Sequence, residues 1–252
     1  MTETSTTTTT DDQRVAIVTG GSRGIGREVA RRLAADGQRV AVGYAGNEAA
    51  AQETVDAITS HGGHAFAQRA DVADEHDVAA LFDEAEARFG GVDVVVNAAG
   101  TMTLGPIADF DLDVLDRMHR TNIRGTFVVN QAAARRLRDG GAIINFSTSV
   151  KKLALPGYGP YAASKGAVDA VSLVLAKELR GRDITVNAVA PGPTATALFL
   201  DGKDEETISQ MSRMNPLERL GTPEDIAEVV ALLAGPGRWI NGQTLYANGG
   251  MV

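Results

Sequence analysis

Tyr161 and Lys165, in the stretch Tyr161-Ala162-Ala163-Ser164-Lys165, have the chemistry of an acid/base pair if they lie on a helix. Residues four apart then share one face. Val168, Val171, Leu175 and Leu179 continue an apolar stripe at helical spacing, and Gly181 ends it. A free phenol ionises near pH 10. A neighbouring ammonium favours the phenolate and lowers that value. Tuned in this way, Tyr161 could give a proton to a developing alkoxide or take one from an alcohol.

A second stretch suits an anion. Gly20, Gly24 and Gly26, with Ser22, Arg23 and Ile25 between them, join the apolar run Val15–Val18 to a stretch of helical periodicity. Glycine lets backbone approach a pyrophosphate, and a helix N-terminus offers free N–H groups to it. The spacing here is GxxxGxG. After the next strand, Val40–Tyr44, an acidic residue would receive the ribose 2′-hydroxyl of NAD. This chain has Tyr44-Ala45-Gly46-Asn47 there, with no carboxylate before Glu48. Arg23 could meet a 2′-phosphate, with Ser22 and Asn47 as neutral donors. The expectation is NADPH/NADP+ rather than NADH. Asp71-Val72 ends the third strand, where Asp71 could accept from an adenine amine. Asn97-Ala98-Ala99-Gly100 ends the fourth, where small residues let a flat cofactor lie close.

Positioning these residues takes a strand–helix alternation that runs through the chain. Strands are expected at 15–18, 40–44, 64–67, 92–96, 142–146, 184–189 and 243–247. Helices are expected after the first Gly-rich turn and over about 47–60, 75–89, 112–137, 161–181, 205–214 and from 222. That order predicts an α/β fold: a single-domain, doubly wound, Rossmann-type parallel sheet of about seven strands with helices on both faces. Residues 1–12, MTETSTTTTTDD, are too polar to bury apolar area and are expected to be a disordered tail; residues 13–252 form the domain.

Composition removes several function classes. The 252 residues carry a formal net charge of −8 and no cysteine. Disulfides, a thiolate nucleophile and Cys-based metal sites are excluded, and nucleic acid is disfavoured as a partner. His61, His64, His76 and His119 fall on different elements, so no metal site is expected. No apolar run is long enough to span a membrane, and no signal peptide opens the chain. The expected location is cytoplasmic.

Thr19-Gly20-xxx-Gly24-x-Gly26, Asn97-Ala98-Ala99-Gly100, Asn122, Tyr161-xxx-Lys165 and Pro191-Gly192 together resemble the ordered motif set of the short-chain dehydrogenase/reductase family, from about Arg14 to the C-terminus. The 3-oxoacyl-carrier-protein-reductase-like and tetrahydroxynaphthalene-reductase-like members are the most similar, and Asn187–Pro193 and the ending Asn248-Gly249-Gly250 add to the likeness. The resemblance implies Tyr161 as acid/base. Lys165 would lower its pKa and hold the nicotinamide ribose. Asn122 would support a proton-relay water, and Pro191, Gly192 and Thr194 would lie against the nicotinamide. A serine thirteen residues before the Tyr would hold the substrate oxygen; that position is Thr148 here, with its neighbour Ser149 an equal alternative and Ser147 a third. Residues 194–220 resemble the family's substrate lid.

The expected activity is NADPH-dependent reduction of a small carbonyl compound. The rivals are an NAD-dependent alcohol dehydrogenase running oxidatively and a catalytically silent dinucleotide sensor. The resemblance also implies a homotetramer. Independently, the 161–181 helix carries Ala167, Val168, Ala170, Val171, Leu173, Val174, Leu175 and Ala176, more apolar residues than one stripe needs. Phe127, Val128, Ala132 and Ala133 on the preceding helix, and the segment from Trp239 to Val252, are the expected partner surfaces.

Overall fold

The structure, a computed structural model, describes residues 13–252; the expected N-terminal tail lies outside the described residues. Seven strands form one parallel sheet: β1 (Val15–Thr19), β2 (Arg39–Tyr44), β3 (Ala65–Arg69), β4 (Val94–Asn97), β5 (Ala142–Phe146), β6 (Thr185–Pro191) and β7 (Thr244–Ala247). Their order is β3-β2-β1-β4-β5-β6-β7. β1, β4 and β5 are buried from end to end because both sheet faces are covered, which is why they read as unbroken apolar runs rather than alternating ones. The chain leaves β1 toward β2 on one side and returns to place β4 on the other. The crevice at the carboxyl ends of β1 and β4 is the place where such sheets take ligands. Register there pairs Thr19 with Asn97, and Asn97 with Asn145.

One face carries α1 (Gly24–Ala35), α2 (Glu48–Thr59) and α10 (Pro223–Ala234); Leu33, Val29 and Val230 pack there on Val18, Val42 and Ile144. The other carries α3 (Glu75–Phe89), α5 (Gly125–Arg136) and α7 (Gly159–Glu178); Phe82, Val129 and Leu175 pack there on Ile17, Val95 and Ile143. Local signals set the helix ends. Asn47 accepts from Ala50 N–H to start α2, and Asp74 starts α3, which Gly90 closes in the left-handed conformation (φ 86°). Thr222 and Asp225 form a reciprocal capping box for α10, with Pro223 at its first position.

The single helix expected over 112–137 is instead three pieces. α4 (Leu112–His119) runs into a π-helical turn, Arg120–Arg124, and then into α5. Such turns recur at functional sites, and this one carries Asn122. Two further elements, α6 (Val150–Leu153) and α8 (Ala197–Leu200), are single turns that no sequence period marks; α9 (Glu205–Ser212) lies between α8 and α10. Among the described residues no helix is long and apolar enough to cross a membrane.

Candidate active site

The Tyr161 hydroxyl lies beside the Thr148 side chain, just beyond β5, near enough for Thr148 to lower its pKa. Both residues are buried, at 9% and 6% exposure. Lys165, one turn along α7, is also buried; its ammonium donates to the Phe146 carbonyl at 2.8 Å and stands 5.9 Å from the centre of the Tyr161 ring. Asn122 has no exposed surface. Its Oδ1 accepts from Thr101 N–H at 2.9 Å, and its Nδ2 donates to Thr101 O at 2.8 Å and to Ser164 Oγ at 3.1 Å. Ser164 in turn donates to the Tyr161 carbonyl at 2.7 Å, so the π-helical turn and α7 are tied together at the site. A Cβ on Gly100 would stand 3.3 Å from Asn122 Oδ1 and 3.5 Å from Lys165 Nζ, which places the end of the β4 loop against both.

The electrostatics correct one expectation. Burial pushes the Tyr161 phenol up to about 12, against the Thr148 side chain, which pulls it down. Burial likewise brings Lys165 down to about 8, with the positive charge of Lys151 adding to the effect. In the protein alone, desolvation outweighs the attraction expected between ammonium and phenolate, and Tyr161 holds its proton at neutral pH.

Thr148 and Ser149 part company. The Ser149 hydroxyl donates to Ala190 O at 3.0 Å and accepts from Asn248 Nδ2 at 3.0 Å, away from Tyr161. The neighbouring Ser147 hydroxyl is buried without a partner among the described residues.

The Gly-rich turn fits a dinucleotide pyrophosphate. Arg23, extended, precedes α1, and no side chain caps the helix, so its first N–H groups face outward. A Cβ on Gly20 (φ 67°) would stand 2.9 Å from the Ala99 backbone, and one on Gly26 would run into the Gly20 carbonyl. Ile25, partly buried, packs on the core behind the turn. Thr19 Oγ1 donates to Asn97 Oδ1 at 2.9 Å and accepts from Ala99 N–H at 3.3 Å, locking Asn97-Ala98-Ala99 beside the turn. Gly21 N–H donates to Gly43 O, which brings Ser22 and Arg23 to the end of β2. Arg23, Ala45 and Asn47 are exposed there, with no carboxylate between Tyr44 and Glu48. Arg27 braces the turn through two hydrogen bonds to the Ser22 carbonyl.

Several expected cofactor residues have other engagements. Tyr44 is 9% exposed and belongs to the core cluster that also holds residues of α1 and α2. Asn47 spends Oδ1 on its cap and keeps only its amide N–H groups. Asp71 accepts from Ala73 N–H and pairs with Arg120 at 2.7 Å. Burial opposes its ionisation, yet these two donors hold its carboxyl below the usual range. Val72 packs on Gly125, where an added Cβ would meet it at 2.6 Å. Pro191 ends β6, Gly192 N–H donates to Ala247 O, and Thr194, buried, donates to Gly192 O at 3.0 Å. The 194–220 stretch begins over the phosphate turn, since a Cβ on Gly24 would touch Thr196 at 3.4 Å. It exposes Leu198, Met214 and Leu217.

Sequence reasoning gave no role to Arg120, the Phe146 carbonyl or Asn248. Only Asn248 carried a signal: an Asn ahead of two glycines just after a strand is a side-chain-closed turn. Among the described residues no group of three or more His, Asp or Glu side chains is placed to hold a metal ion.

A parallel sheet with a Gly-rich turn at its switch point and a buried Tyr–Lys pair beyond it has the form of a nucleotide-dependent oxidoreductase. Comparison with known proteins narrows the class. The family model described as enoyl-(acyl carrier protein) reductase matches residues 20–252. A short-chain type dehydrogenase/reductase of Picea abies is 44% identical over 95% of this chain and 92% of its own. NADPH-dependent aldehyde reductase 2, chloroplastic, of Arabidopsis thaliana is 42% identical over 94% of this chain and 93% of its own. The crystal structure of a short chain dehydrogenase from Burkholderia cenocepacia in complex with NADP superposes with a TM-score of 0.88 at 39% identity, covering 95% of this chain and 97% of that one. The chain belongs to the short-chain dehydrogenase/reductase family of NAD(P)H-dependent oxidoreductases.

Proposed function

We propose that this chain reduces an aldehyde or ketone with NADPH, with Tyr161 as the proton donor. The observation that carries the reading is the placement of the buried Tyr161 hydroxyl beside the buried Thr148 side chain. It sets two hydroxyls side by side where one carbonyl oxygen could receive both. Bound NADPH would supply the hydride. Tyr161, protonated because its pKa lies near 12, gives its proton to the developing alkoxide. Thr148 donates to the same oxygen, and Ser149 does not, because its hydroxyl is spent on Ala190 O. Lys165 gives one hydrogen to Phe146 O; its two others are available to the nicotinamide ribose and to a water. The Asn122 carbonyl, which accepts one bond from Thr126 Oγ1, keeps a lone pair for that water. Ser22, Arg23 and the Asn47 amide would hold the 2′-phosphate, Asp71 the adenine, and Pro191, Gly192 and Thr194 the nicotinamide. The 194–220 segment would cover the substrate.

The relatives support the cofactor choice: one is named an NADPH-dependent aldehyde reductase and one solved neighbour holds NADP. A homotetramer and a cytoplasmic location belong to the same reading; Phe127, Leu173 and Val174, all more than 40% exposed, support the assembly. Steady-state turnover tests the activity, using NADPH or NADH with aldehydes, ketones and an enoyl thioester, and NAD+ with alcohols. Faster kcat/KM with NADPH and a carbonyl is expected. Preference for NAD+ and an alcohol would establish the oxidative enzyme. Binding of NADPH without any turnover would leave only a dinucleotide sensor.

A further inference from the structure

Beyond Asn145 the β5 strand has lost its neighbour on one side, because β4 stops at Asn97, the residue opposite. The backbone that presents Thr148 is therefore laddered on the β6 side alone, by Ser147 N–H on Val189 O at 2.7 Å and Ser149 N–H on Pro191 O at 2.9 Å. From α7, Lys165 Nζ donates to Phe146 O at 2.8 Å ahead of it. Past Thr148 the side-chain anchor is Ser149. Its hydroxyl donates to Ala190 O and accepts from Asn248 Nδ2, each at 3.0 Å. Asn248 follows β7 directly. Its Oδ1 accepts from Gly250 N–H and Met251 N–H, both at 3.1 Å, which fixes the amide's orientation and leaves Nδ2 for Ser149. Its Cα and Cβ press on the Pro191-Gly192 turn, where a Cβ on Gly192 would stand 2.8 Å away. Gly249 lies against Asn215, which closes the far end of the 194–220 segment through Ser212 O at 3.0 Å, Arg219 O at 2.9 Å and Leu217 N–H at 3.0 Å. One amide side chain thus joins the ends of β5, β6 and β7, and its turn touches the base of the substrate-covering segment.

We propose that Asn248 is a positioning residue for catalysis: through Ser149 it holds the end of β5 so that the Thr148 hydroxyl stays against that of Tyr161. The inference rests on the carbonyl-reductase reading. Without the Nδ2 donor, Ser149 keeps only Ala190 O, and the half-laddered strand end gains freedom. Misplacement of a catalytic group by less than an ångström is costly, since rate depends steeply on alignment.

The test is a mutant cycle on the full-length enzyme with NADPH and a carbonyl that the wild type reduces. Asn248→Ala and Ser149→Ala should each lower kcat by about tenfold, the size of one lost hydrogen bond, with NADPH affinity unchanged by fluorescence titration. The double variant should be no worse than either single one, because both break the same link. Ser149→Ala removes the link from its other end and leaves the Asn248 bonds to Gly250 and Met251 in place. It should fold like the wild type and still show the loss, which decides the matter if Asn248→Ala does not fold. Wild-type kcat in Ser149→Ala, additive losses in the double variant, or loss of NADPH affinity alongside kcat would overturn the proposal. A wild-type chain inactive on every carbonyl would instead overturn the functional reading on which it rests.

Discussion

At the scale of single residues, burial decides more than charge pairing does. Tyr161 is a stronger base and weaker acid in this protein than in water, because its surroundings penalise the phenolate. Tyr161→Phe removes the proton donor and leaves the ring's packing, so kcat should fall by at least about a hundredfold while NADPH still binds. Substantial residual turnover in that variant would remove Tyr161 from the chemistry. Thr148→Val is isosteric and lacks the hydroxyl; a loss clearly larger than that of Ser149→Ala is expected, and the reverse ranking would return the substrate contact to Ser149. Lys165 gives a stability signature. Its pKa is about 8 folded and 10.5 in the reference state, so between those values the unfolded chain binds more protons and stability rises with pH. Below about 8 the cost of a buried charge is fully present. The slope is at most about 1.4 kcal/mol per pH unit. Urea midpoints of the cofactor-free protein between about pH 8 and 9.5, where Tyr161 does not yet contribute, should rise more steeply for wild type than for Lys165→Met. Equal slopes would place the Lys165 ammonium in a solvated setting.

At the scale of elements, the π-helical turn is the part that links distant features. It sends Arg120 to Asp71 beyond the end of β3, Asn122 to Thr101 and Ser164, and Arg124 to Ala73 O and Glu75. Thr126 steadies it by donating from Oγ1 to Asn122 O at 2.7 Å, and Asn130 extends the line to Asn145 on β5. Thr126→Val keeps the shape and deletes the donor; it should cost about 1–3 kcal/mol in a urea titration and lower kcat. Unchanged kcat would mean that Asn122 holds its place without it. The alternation of strands and helices was legible in the sequence because the seven apolar runs are separated by helical stretches, several of them with cap residues at their starts. The anion-binding turn and the α7 pair were legible because glycine spacing and a four-residue interval carry their own geometry. The π-helical turn was not, since one extra residue in a helix leaves the apolar period nearly intact. Thr148 and Ser149 could not be separated either, because one step along a strand end reverses the side-chain direction, and what orients Ser149 is an asparagine 99 residues away. The 161–181 helix was read as apolar on two sides, and the faces sort cleanly: Val168 and Leu175 are core, whereas Leu173 and Val174 are exposed. Ala133, expected on a partner surface, is also core.

At the scale of the whole molecule, some of the exposed apolar residues lie on the two helices read as interfaces. Leu173 and Val174 on α7 adjoin the C-terminal region, where a Cβ on Gly242 would touch Leu173 and Ala176 at 3.5 and 3.6 Å; Phe127 marks a second face on α5. Burial of both faces takes more than one copy. Light scattering at micromolar concentration should return about four times the 26.3 kDa chain mass; twice that mass would leave a single interface, and the chain mass itself would reject assembly. The C-terminal region contains a built-in reporter. Trp239 is the chain's only tryptophan, and in the single chain it is 100% exposed. Its emission in an isolated subunit should resemble that of indole in water whether the sheet is formed or melted. Any shift of that emission to shorter wavelength, or shielding from a soluble quencher, would come from a neighbouring subunit. Intrinsic fluorescence of this protein would therefore follow the dissociation of subunits rather than the unfolding of each one, and a dilution series read in that channel would give the assembly constant without a label.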